Sequence, residues 1–275
     1  MITIRLSITK TSVAVSLASL IMIGAGVMMP LTVSAQTPEE VGLQIAKDSR
    51  ERDRGFDNFS AQQQMILRNK HGQESLRQLR VKVLEDESDG NKTLFVFDEP
   101  RDVKGTAFLI HSFKDKADNQ WIYLPALKRV KRISSSNRSG SFMGSEFAYE
   151  DMTPQEVEKY SYKFIGEQPC GEWTCTIVEQ VPTDKKSGYR RQLFWRDKEE
   201  LRIVKVEYFD RKDVHFKTLD LDDFQQYLGE YWRAGTMDMV NHVTGKSTTL
   251  TWSDYQFRTE LNERDFTKTG LKRVR

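Results

Sequence analysis

Apolar and polar positions alternate along this chain with two periods, and the change between them divides it. Thr37-Pro38-Glu39-Glu40 offers an N-cap, a proline at the first helical position and a capping-box acid. Val41 and Ile45 then recur four apart, so the pattern predicts a helix that ends before Gly55. Beyond it the period falls to two. Leu79, Val81 and Val83 alternate with Arg80 and Lys82, as a half-buried strand requires. Strands are predicted over 62–69, 77–85, 93–98, 106–113, 121–124, 160–166, 174–181, 189–196, 201–209, 217–224, 231–241 and 247–258. His71-Gly72, Asp89-Gly90, 116–119 and 242–246 read as turns. Helical pattern returns only at 153–159, opened by Thr153-Pro154-Gln155-Glu156, and in a brief tail from Asp265 to Leu271.

About eleven strands at such spacing predict a mainly β fold with antiparallel pairing. No 20–50-residue repeat marks a propeller or solenoid. A sheet of this kind buries one face, either against a second sheet or by curling around helices or a ligand, and periodicity alone leaves both open.

The amino end has a different character. Arg5 and Lys10 precede an apolar run over 13–29, and Val33-Ser34-Ala35 follows. These are the parts of a secretory leader, with cleavage expected before Gln36. Removing 35 of 275 residues leaves 240, read as one domain over 36–275. The leader would take two of the 42 cations and none of the 40 acids, so the mature charge would be zero. That balance argues against a nucleic-acid partner. No cysteine stands at the junction, so a lipid anchor is not expected there. Export suits a disulfide between Cys170 and Cys175 in PCGEWTC, a spacing that is not the CxxC redox pair.

Catalytic signatures are missing. There is no G-x-S-x-G, no phosphate-cradling glycine loop and no metal spacing among His71, His111, His215 and His242. Glu146, Glu150 and Asp151 cluster, but offsetting nearby cations is their ordinary role. Neither an enzyme, a cofactor nor a metal is expected.

Residues 120–152, QWIYLPALKRVKRISSSNRSGSFMGSEFAYEDM, hold the most unusual composition. Trp121 and Tyr123 fall on one face of a strand and Ile122 and Leu124 on the other, so both faces are apolar. A basic run and a small-residue loop follow. Together GTAFLIHSF, QWIYLPALKRVKRI and GSFMGSEFAYEDM resemble the exported outer membrane lipoprotein-sorting proteins, relatives of the LolA and LolB carriers. The resemblance implies a strongly curved antiparallel sheet, an incomplete barrel, with helices covering its concave side and acyl chains between. It also implies a link to RND-type exporters.

On that basis Trp121, Tyr123, Leu124, Phe142, Met143 and Phe147 are candidates for an acyl cavity and its rim, with Phe142 and Met143 closing over a ligand. Arg129 and Arg132 are candidates for a headgroup or a protein partner, since a guanidinium binds phosphate as a fork. The expected protein is a monomeric periplasmic carrier of lipoprotein acyl chains or lipid that touches membranes only transiently. The competing expectation is a non-transporting accessory or sensing module docked on an inner-membrane transporter.

Overall fold

The computed structural model describes residues 35–86 and 88–273. The leader expected over 1–35 lies outside the described residues apart from Ala35. Helix α1 (Pro38–Glu51) forms as predicted: Thr37 accepts from the Glu40 amide while the Glu40 carboxylate takes the Thr37 amide. This reciprocal cap satisfies two of the four amides that a helix start leaves free.

Strands β1 (Asn58–Arg68), β2 (Glu74–Leu84), β3 (Lys92–Glu99), β4 (Ala107–His111), β5 (Asn119–Leu124) and β6 (Arg129–Arg132) form an antiparallel meander. A second run comprises β7 (Tyr160–Cys170), β8 (Trp173–Pro182), β9 (Tyr189–Asp197), β10 (Ile203–Asp210) and β11 (His215–Asp222). The ribbon β12 (Gln225–Tyr227) and β13 (Tyr231–Arg233) interrupts it before β14 (Thr236–Asn241) and β15 (Lys246–Phe257). Pairing of β1 with β15 joins the halves into one curved sheet of thirteen strands, with β6 and β7 as its edges. The sheet does not close, so the expected incomplete barrel is the architecture.

Three differences from the expected pattern have local causes. The basic run 129–132 pairs as an edge strand, and solvated charge there discourages pairing with other chains. The predicted strand 231–241 is broken into β13 and β14 at Ala234-Gly235, where a Cβ on Gly235 would lie 2.9 Å from the Asp223 carbonyl oxygen. The stretch 153–159 forms only a 3₁₀ turn, Val157–Lys159. Glu156, its prospective capping acid, is instead buried, where it takes the Ser112 hydroxyl at 3.2 Å and Arg50 at 3.5 Å. The tail likewise makes two 3₁₀ turns, Glu263–Phe266 and Gly270–Lys272.

The two faces of the sheet are covered differently. On the inner face Phe59, Leu79, Val81, Phe95, Phe108 and Leu250 join a large core. On the outer face Leu94, Val96, Leu109 and Trp121 meet Phe266 and Leu271 of the tail. Strands β3 and β4 are therefore buried on both sides, which is why residues 94–97 and 107–110 run apolar without a break. His111 pins the tail with a 2.7 Å hydrogen bond from Nε2 to the Phe266 carbonyl.

Where helices were expected over the concave side, the described residues supply one helix, the irregular segment 133–157 and the β12–β13 ribbon. Helix α1 lies against β7 and β8 at the far edge. Gly42 permits this approach, because a Cβ there would sit 2.7 Å from the Phe164 nitrogen. The bridge Cys170–Cys175 closes the tip of the β7–β8 hairpin, and a loop this small contributes about 2 kcal/mol.

Candidate functional site

The coverings do not fill the inner face. Between the sheet, α1, residues 152–157 and the β12–β13 ribbon lies a cavity of about 710 Å³. That is the size of a pocket for a drug-sized or lipid-like ligand. Its floor is apolar: Phe59, Val81, Phe95, Leu221, Met237 and Trp252 reach it from β1, β2, β3, β11, β14 and β15. Alternation within each strand sends these side chains inward and their neighbours outward; those neighbours are polar except around Phe95, where Leu94 and Val96 pack under the tail. Ala46 and Met152 face it from α1 and the irregular segment.

Five arginines also line it, Arg50, Arg52, Arg196, Arg202 and Arg233. Four are matched by carboxylates. Arg50 faces Glu156 at 3.5 Å and Arg52 faces Glu200 at 3.1 Å. Arg202 pairs with Asp197 at 2.8 Å, and Arg233 with Asp53 at 2.6 Å. Arg202 also lies 4.8 Å from the ring centroid of Trp173, 4.5 Å from that of Trp232 and 5.3 Å from that of Phe224, of which Trp232 and Phe224 line the cavity.

Arg196 is the exception. It is 4% exposed, and burial pushes its guanidinium down to about 10. Its Nε donates to the Ser49 hydroxyl at 3.3 Å, while Nη1 is buried without a partner. Tyr162, whose hydroxyl donates to the Val157 carbonyl at 3.0 Å, is raised above the ordinary phenol range by burial.

None of the six apolar residues expected to form the cavity lines it. Phe142 is fully buried, with ring centroids of Phe95, Phe97, Phe108 and Tyr149 at 5.9, 6.1, 5.2 and 5.6 Å. Phe147 is buried in the same inner core, and Met143 and Leu124 pack against it half-buried. Trp121 and Tyr123 belong to the outer cluster, on the opposite face of the sheet. The segment bearing Phe142 and Met143 is braced: Phe142 donates to the Phe147 carbonyl at 2.7 Å, and Arg77 donates to the Met143 carbonyl.

Arg129 and Arg132 are exposed on β6, opposite Leu124 and Trp121 respectively, and hence on opposite faces. They do not converge on one group, and Arg132 donates to Asn119 at 2.6 Å. The acidic cluster binds protein donors. Glu146 takes Asn241 at 2.7 Å, Glu150 takes the Gly188 amide at 2.8 Å, and Asp151 takes the Tyr189 hydroxyl at 2.8 Å. No group able to hold a metal occurs among the described residues.

The cavity residues that sequence reasoning missed sit far apart in the chain. One signal was available: Gln192, Phe194 and Arg196 share a parity in β9 and are all buried. A charge in the inward register of a strand is expensive unless something meets it.

Comparison with known proteins agrees with this architecture. An outer membrane lipoprotein-sorting protein domain from Vibrio parahaemolyticus is 52% identical, superposes with a TM-score of 0.83, and matches over 85% of this chain and 99% of its own. A DUF1329 family protein from Desulfovibrio piger is 28% identical with a TM-score of 0.81, over 86% of this chain and 100% of that one. A LolA superfamily protein from Nitrosomonas europaea, 20% identical with a TM-score of 0.67 over 86% and 100%, shares the fold. A family profile described only as "uncharacterized protein"-like matches residues 89–273. No curated protein matches the chain. By its open thirteen-stranded sheet and its 52% identity to the Vibrio domain, the chain belongs to the outer membrane lipoprotein-sorting protein family, whose fold is LolA-like.

Proposed function

We propose that this protein is a periplasmic carrier that holds acyl chains of lipoproteins or lipids in the cavity beneath α1 and ferries them toward the outer membrane. The observation that carries this reading is the cavity of about 710 Å³ floored by the sheet's apolar inner face. Each acyl methylene taken from water contributes about 0.8 kcal/mol, so a lipid needs such a shelter to cross an aqueous gap. An interior shaped by an open sheet and a single helix offers shelter without the rigid closure that would prevent release.

In this reading the leader 1–35 is removed before Gln36, and residues 36–275 act as a single domain, a monomer in the periplasm. The chemistry is binding and release, without catalysis. An RND-type exporter is the proposed partner that supplies or receives cargo. The exposed basic edge strand β6, with Arg129 and Arg132, is the proposed contact with membrane headgroups or that exporter. Charge reversal of both arginines should then weaken membrane or exporter capture while leaving lipid in the cavity.

The test is direct. Mature protein is purified, extracted with solvent and analysed by mass spectrometry, and binding of a fluorescent fatty acid is titrated. Co-purifying amphiphile and saturable binding are expected. Met237, half-buried on the cavity floor, offers a plug: Met237→Trp should lower probe affinity by roughly tenfold or more, the equivalent of about two buried methylenes. An extract without amphiphile, together with no saturable binding, removes the carrier reading.

A further inference from the structure

The cavity's charges are not balanced, and the imbalance sits at one residue. Among the five lining arginines, Arg50, Arg52, Arg202 and Arg233 each have a carboxylate within 4.0 Å. Arg196, the deepest of them by exposure at 4%, has no carboxylate within ion-pair distance among the described residues. Its neighbours include the Ser49 hydroxyl at 3.3 Å, the Phe194 ring at 4.9 Å and Tyr162, whose hydroxyl is already donated to the Val157 carbonyl. A hydroxyl and a ring face offset only a small part of the hydration that a guanidinium gives up on burial. Its Nη1 is buried without any partner, and so is Nε of Arg50, the residue that follows Ser49 and lines the same cavity. Two cationic N–H groups therefore stand ready for an acceptor that the protein does not provide.

Natural proteins pair buried charges or solvate them. Arg196 belongs to β9, a strand paired on both sides, with β8 and β10, and its side chain is buried, so it cannot swing out to water as a surface arginine does. Its position beside an apolar floor fits a molecule with a hydrocarbon part and an anionic end.

We infer that Arg196 anchors the anionic headgroup, a phosphate or a carboxylate, of the amphiphile whose chains occupy the cavity. This rests on the carrier reading and narrows it: the preferred cargo is an anionic lipid, in contrast to the uncharged acylated terminus of a lipoprotein. Arg50 supplies a second donor to the same group. Charge-assisted hydrogen bonds of this kind contribute selectivity of about tenfold to a hundredfold.

Three single-chain probes of equal length separate the cases: a lysophosphatidic acid, a fatty acid and a monoacylglycerol. Binding is measured by calorimetry on wild-type protein, Arg196→Met and Arg196→Lys. Arg196→Met should lose about tenfold to a hundredfold for at least one anionic probe and bind the neutral one unchanged; Arg196→Lys should keep part of the anionic affinity. Loss confined to lysophosphatidic acid identifies phosphate as the recognised group, and loss confined to fatty acid identifies carboxylate. The ligand-free Arg196→Met protein should also melt at a higher temperature than wild type, because an unpaired buried charge has been removed. Anionic affinity in Arg196→Met within twofold of wild type overturns the anchor and leaves the carrier intact. If none of the three probes binds wild type, both readings fall.

Discussion

Phe142 tests whether the segment over the inner face is structural plug or movable lid. Its side chain is fully buried and touched by four aromatic rings with centroids 5.2 to 6.1 Å away. Truncating a buried phenylalanine to alanine costs about 3–5 kcal/mol, less where the surroundings collapse into the space. Collapse is restricted here. The Phe142 carbonyl accepts from both the amide and the hydroxyl of Ser145, at 2.9 and 2.7 Å, and its amide is tied to Phe147. Phe95, Phe97 and Phe108 lie on sheet strands that cannot close inward without breaking their ladders. The loss for Phe142→Ala is therefore placed near 4 kcal/mol, which lowers the melting temperature by about 8–16 °C in a protein of this size. Urea unfolding followed by tryptophan fluorescence reads it directly. A lid residue behaves oppositely: truncation leaves stability nearly untouched and changes ligand affinity. A stability loss below about 1 kcal/mol accompanied by altered binding would refute the plug.

Two further outcomes follow from named contacts. Gly42→Ala should destabilise the protein and expose α1 to proteolysis, although alanine favours an isolated helix by about 1 kcal/mol. The added methyl would meet the β7 backbone at 2.7–2.9 Å, and backbone cannot step aside; a rise in melting temperature would show that α1 does not dock as described. Burial pushes the Asp151 carboxyl up from 3.8 to about 6. The folded protein thus takes up this proton near pH 6 and the unfolded chain only near pH 4, so through this group stability rises on acidification across that window. Asp151→Asn removes that gain: its stability relative to wild type should fall by about 2 kcal/mol between pH 7 and pH 4, and a flat difference would show that Asp151 is not desolvated.

Some of this molecule was legible because it depends on neighbours in sequence. The Thr37–Glu40 cap spans three residues. The inward set Leu79, Val81 and Val83 follows from the pleat of one strand. The pairing of Cys170 with Cys175 spans five. The apolar character of both faces around Trp121 and Ile122 was equally visible. Alternation separates two faces without saying which is inner, and so Trp121 was expected in a cavity and lies under the tail. Serine and glycine around Phe142 suggested an exposed rim. The Phe147 carbonyl, which accepts from the Phe142 amide, and donors from Ser145 and Arg77 instead satisfy that backbone and let the ring go inward.

By itself, then, the sequence determined helix α1, most of the strands and turns, the disulfide and the kinship with lipoprotein-sorting proteins, since these rest on local geometry and on a recognisable run of residues. Only the tertiary structure decided where the empty volume lies and what faces it. That volume exists because β1 meets β15 across almost the whole chain, bringing Phe59, Met237 and Trp252 to one floor while α1 sets Ser49 beside Arg196. A void is the space that long-range packing leaves over, and no short window of residues encodes it.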